Sequence, residues 1–147
     1  MMKALLTYLL VTFMVSDHDV AIALFDVQFS EEGTTIEITV DQEDLAQSLV
    51  TRDISVDVIN SYLSEKSTWF FNATESQLVI TSMTPRNDHY ILKGRFLGTL
   101  NDVQSVDITN HFLLDIVNHS NIIKFHTSKG ERDFRMHQGR TEISVSL

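Results

Sequence analysis

The chain has 147 residues, 43% of them hydrophobic, enough to bury one core without a disulfide framework or a structural metal. Its formal charge of -9, from 20 acidic against 11 basic residues, argues against nucleic acid as a partner, because phosphate binding relies on concentrated lysine and arginine. Cysteine is absent, which excludes disulfides, thiol catalysis and a lipid anchor on an N-terminal cysteine.

Met1 to Lys3 is a short positive start, and Ala4 to Val15 is an uncharged apolar run that ends before Asp17-His18-Asp19. This layout predicts a removable signal peptide over 1–16, since a membrane-spanning helix needs about 20 apolar residues. Residues 17–147 then read as one domain in the periplasm or outside the cell, with no stable membrane span. Ala21-Ile22-Ala23 also fits the small-x-small cleavage rule, but it lies within the first predicted strand, so cleavage is placed near Ser16.

From Val20 the apolar positions run Val20, Ile22, Leu24 and then change phase to Phe25, Val27, Phe29, which predicts a strand with a bulge near Phe25 and Asp26. Glu31-Glu32-Gly33 supplies a turn, and Thr34 to Val40 alternates with Ile36, Ile38 and Val40 inward, completing a hairpin. Asp41 stands where a helix N-cap belongs, with Glu43 and Asp44 in the first turn and Leu45 and Leu49 one turn apart. A second helix is predicted over about 55–64, capped by Ser55, with Val56, Ile59, Tyr62 and Leu63 at helical spacing.

Beyond Lys66 the period returns to two over Thr68 to Asn72, Gln77 to Thr81, His89 to Leu97, Val103 to Phe112, Asn121 to Thr127, Glu131 to Met136 and Thr141 to Val145. Short strands separated by Pro85-Arg86-Asn87-Asp88, Asn101-Asp102, Ser128-Lys129-Gly130 and Gln138-Gly139 predict a mainly β fold. The expected architecture is an antiparallel immunoglobulin-like β-sandwich with a two-helix insertion after the first hairpin.

The order of elements resembles an uncharacterised family of small exported proteins of Gram-negative bacteria, a domain of unknown function. The residues that carry the resemblance are His18 with the strand to Phe29, and Ile36 to Val40 running into Glu43-Asp44-Leu45 and Leu49. Further along they are Asn110-His111-Phe112-Leu113-Leu114-Asp115 and Asn121-Ile122-Ile123. The chain departs from that pattern at Asp19, Ala46 and Ile116-Val117-Asn118, where the family has proline, an acidic residue, and Phe-Pro with a glutamine. The resemblance implies fold and compartment, and no activity.

Chemistry is sparse. His111, Asp115 and His119 would share one face of a helix and suit zinc, but the segment reads as a strand entering a turn, which scatters them. His18, in the acidic cluster at the expected mature N-terminus, is the candidate metal ligand; His89, His126 and His137 stand alone. Asp41 to Asp44 lacks the glycine turn of a calcium loop and is accounted for by helix capping. Lys129, Arg132, Arg135 and Arg140 form the densest basic group and read as a solvated face.

Three consecutive aromatics, Trp69, Phe70 and Phe71, cannot all face one side of a sheet. They are expected either to lie under the helices or to form a partner surface. No serine-nucleophile, phosphate-loop or zinc-protease motif occurs. The sequence therefore reads as an exported, non-enzymatic binding or assembly domain with no cofactor, its partner another envelope protein. The alternative is an exported metal-binding or metal-handling protein using His18 and other histidines.

Overall fold

The computed structural model describes residues 21–98 and 102–147; the predicted leader and His18 lie outside them. β1 (Ile22–Ser30) and β2 (Gly33–Asp41) form the expected hairpin, closed at Gly33, whose φ of 132° favours glycine. The bulge predicted near Phe25 and Asp26 is not there. β1 keeps an unbroken register with β2 from Leu24 opposite Thr39 to Ser30 opposite Gly33. The apparent change of phase has a simpler cause: Ala23, Phe25 and Val27 line the buried face, while Ile22 and Leu24 occupy the opposite one.

α1 (Gln42–Leu49) begins where its cap predicts, with Asp41 Oδ1 accepting from the amides of Glu43 at 2.8 Å and Asp44 at 3.0 Å. α2 (Val56–Lys66) begins at Ser55, whose Oγ accepts from the Val58 amide at 3.3 Å. Both are short for isolated helices, so their stability comes from burying Leu45, Ile59, Tyr62 and Leu63.

Eight strands follow: β3 (Ser67–Phe71), β4 (Thr74–Ser76), β5 (Leu78–Arg86), β6 (His89–Phe96), β7 (Ser105–Asn110), β8 (Ser120–Thr127), β9 (Gly130–Met136) and β10 (Glu142–Ser146). They form a six-stranded sheet, β5-β6-β2-β1-β8-β9, and a four-stranded sheet, β10-β7-β3-β4. β1 and β8 are parallel and every other pair is antiparallel, so the larger sheet is mixed where an antiparallel one was expected. Parallel neighbours require a long connection between them, and here everything from β2 to β7 supplies it, including both helices and three strands of the smaller sheet.

The two sheets meet through aromatic side chains. Phe25 of β1 lies 6.3 Å from Trp69 of β3, Phe29 lies 6.0 Å from Phe71, and Phe96 of β6 lies 5.0 Å from Trp69 between ring centroids. The helical insertion lies beside β5, an outer strand of the larger sheet. There the Asn60 side chain accepts from the Ile80 amide at 2.7 Å and donates to the Ile80 carbonyl at 2.9 Å. The register irregularity of this fold sits next to that contact, between Ile80 and Ser82.

Candidate functional site

The densest polar structure lies where β7 hands over to β8. Asn110 ends one strand and Ser120 starts the next, and residues 111–119 between them fold into successive tight turns. Leu114 bonds back to His111, Ile116 to Leu113 and His119 to Ile116 through their backbones. Leu113 and Asn118 adopt φ of 56° and 62° to make those reversals. The turns separate the three residues that a helix would have aligned. His111 and Asp115 are exposed, while the His119 side chain is fully buried.

Side chains from four elements hold this segment. Asn110 Oδ1 accepts from the Phe112 amide at 2.9 Å, and the Tyr62 hydroxyl on α2 accepts from the Leu113 amide at 3.2 Å. Asn121 Nδ2 on β8 donates to the Phe112 carbonyl at 2.8 Å. That fixes the asparagine orientation and leaves Oδ1 to accept from His119 Nε2 at 3.1 Å. Ser48 Oγ on α1 donates to both Asp115 oxygens at 3.0 and 3.2 Å. Side chains of α1, the turn segment and β8 thus meet in one place.

His119 Nδ1 is left with the lone pair. It has no hydrogen-bond partner and faces Asp44 Oδ2 on α1 at 4.0 Å. Burial holds the imidazole pKa below the ordinary histidine value, and burial likewise raises the Asp44 carboxyl above the usual aspartate value. Burial also raises the Tyr62 phenol. Ser48 donates to a carboxylate, Asp115, and not to an imidazole, so the serine and histidine of this cluster are not paired with each other. The bonds among these residues form a network that holds the turn segment.

A second histidine cluster lies on the outer face of the larger sheet. His126 Nε2 stands 2.7 Å from Asp26 Oδ1, and Nδ1 stands 3.1 Å from Glu131 Oε1. The first approach is close but not aligned as a hydrogen bond, which leaves both atoms without a bonded partner. The two carboxylates address opposite nitrogens of one ring, so the three groups do not converge on a common point. Among the described residues, no group of three histidine, aspartate or glutamate side chains is arranged to hold a metal ion.

Of the aromatic triplet, Trp69 and Phe71 are each 1% exposed and belong to the core, which corrects their assignment to a partner surface. Alternation along β3 forces that outcome, because the inner face of the smaller sheet takes the odd-numbered positions. Phe70 stands on the outer face and is half-buried. Among the described residues, no helix is long and apolar enough to cross a membrane.

The sequence placed Asp44 in a helix start, Tyr62 on a helix face and Asn110 and Asn121 in the resemblance, but nothing in it brought them together, and Ser48 was not singled out. The readable signal was a pair of asparagines at the two strand ends around a Leu-Leu turn, since a buried asparagine beside reversed backbone serves to satisfy it. No family model matches the chain, and no curated protein matches it.

Proposed function

We propose that the chain is an exported, non-enzymatic domain that binds another envelope protein, in a sandwich of broadly immunoglobulin-like architecture, as the resemblance to small exported proteins implies. The observation that carries this reading is the row around Phe70 on the outer face of the four-stranded sheet. Phe70 pairs across the strands with Asp107 of β7 on one side and Glu75 of β4 on the other, and Ser144 of β10 extends the row. A half-buried ring between two carboxylates suits a partner that presents an arginine or lysine, because a cation can lie over the ring while meeting an acid. The chain's net charge of -9 favours the same partner chemistry.

The margin of that face adds a second means of attachment. The Asn110 amide bonds to the Thr141 carbonyl and the Leu147 amide to the Gln104 carbonyl, so odd-numbered residues of β10 pair with β7. The backbone groups of Glu142 and Ser144 then point away from the sheet, where an added strand could bond to them. Of the groups on that margin, the Ser146 carbonyl accepts from Arg132.

Capture from an envelope extract by immobilised mature protein tests this reading. Phe70→Ala is expected to abolish capture of a specific partner while leaving the circular dichroism spectrum unchanged; undiminished capture by a folded Phe70→Ala variant overturns it. Titration of zinc and copper against the mature protein and His18→Ala examines the metal-handling alternative, for which a stoichiometric site lost with His18 is the expected result.

A further inference from the structure

Among the described residues, His119 is the only histidine in the buried interior, and no carboxylate, lysine or arginine joins it there. Its place in the fold gives that burial a consequence. Nε2 is anchored to Asn121 on β8, whereas Nδ1 faces α1 without a bond, 4.0 Å from the Asp44 carboxylate. In the neutral ring Nδ1 offers a lone pair to a group that also carries only lone pairs. A proton added there would need either a shorter approach to Asp44 or access to water.

The shorter approach is blocked by how α1 is held. Its first residue is fixed to the β5–β6 turn, with the Gln42 amide bonded to the Asp88 carbonyl at 2.9 Å. Gln42 Nε2 also donates to the carbonyls of Asn87 at 3.1 Å and His89 at 2.9 Å. Asp41 caps the same end through its side chain. The turn segment on the other side of the ring is secured to α1 by an exposed contact, Ser48 to Asp115, and it carries Val117, which is 77% exposed. The segment is also held by Asn110, Tyr62, Asn121 and Gln138 and buries Phe112, Leu113 and Ile116, so what is able to give way is its join to α1.

We propose that His119 is an acid-sensitive latch, and that protonation at Nδ1 releases residues 111–119 from α1. Asp44 from α1 and Asp115 from the segment are the charged groups that face the ring, and both favour the cation. Asn121 from β8 and Tyr62 from α2 are uncharged partners in the same network. Asp41 and His89 bear on Asp44 from beyond it. Burial outweighs the attraction of the two carboxylates, so the folded chain holds this proton less readily than the unfolded chain does. The stabilisation is therefore present above the ordinary histidine pKa of about 6.5 and is lost as pH falls through it toward the depressed folded value.

Amide hydrogen exchange on the whole protein, expressed as protection factors, reads the latch. From about pH 7.5 to about pH 5.5, amides of 111–119 are expected to lose protection about tenfold while those of β1 and β2 hold steady. His119→Gln keeps an N–H for Asn121 and cannot take a charge, so its segment is expected to show no such loss. An equal loss in His119→Gln, or none in the unaltered protein, overturns the proposal. Asp44→Asn supplies an independent arm: with the facing carboxylate gone, the midpoint of the loss is expected to move to lower pH. A midpoint that stays in place or rises in Asp44→Asn overturns it as well.

Discussion

Val50 ends α1 with a φ of 53° and is 90% exposed. A β-branched side chain in the left-handed region crowds its own backbone, at a cost of about 1 kcal/mol, and an exposed valine recovers little of it by packing. Val50→Gly is accordingly expected to raise the unfolding free energy by about 0.5–1 kcal/mol in urea titration, despite the extra freedom glycine gives the unfolded chain. Gly94 on β6 is the opposite case. A Cβ there would collide with the Val79 carbonyl of β5, so Gly94→Ala is expected to cost about 1–3 kcal/mol in the same titration. Residue chemistry that acts locally was legible in the sequence. Asp41 and Ser55 cap the helices they were expected to cap, because a capping oxygen needs only its own next few amides. His119 was not legible, because what defines it is Asp44 on a distant element and the closure of the core around both.

At the level of elements, the alternation of apolar residues located the strands wherever one face is buried and the other wet. It faltered at β5, expected to end at Thr81 but continuing through Pro85 to Arg86. An outer strand can carry proline because no neighbour needs its missing N–H, and the irregularity after Ile80 breaks the alternation. Asn60 completes this edge by giving Ile80 both the donor and the acceptor that a further strand would have offered. Asn60→Ala leaves those backbone groups without partners in a half-buried setting. A loss of about 1–3 kcal/mol is expected, with faster hydrogen exchange at the Ile80 amide as the local sign. The β1 bulge was misread for a related reason. Apolar residues on both faces of a strand look like a change of phase when only one face is assumed to be apolar.

Across the whole molecule, composition and period were enough for a mainly β fold with two helices after the first hairpin. They were silent on which strands become neighbours, since pairing depends on faces that meet only after the chain has closed. The partner of β1 in the larger sheet is the clearest instance: nothing local to Ile22–Ser30 marks Ser120–Thr127 as its parallel neighbour. Trp69, the single tryptophan, sits between the two sheets in contact with Phe25, Phe71 and Phe96. Its fluorescence therefore reports the join between sheets, while far-ultraviolet circular dichroism reports the strands themselves. The two signals are expected to melt with one midpoint, because neither sheet has a covered inner face without the other.

The position of β1 also governs when the protein can be made whole. Leu24 lies beside Thr39 on one side and Ile122 on the other. As the chain emerges from a ribosome, β1 and β2 can pair at once, yet the other margin of β1 stays open until β8 has followed. That open margin is an apolar strand edge, the kind of surface that recruits other chains. Until β8 has been made, that margin of β1 is open to pairing with other chains.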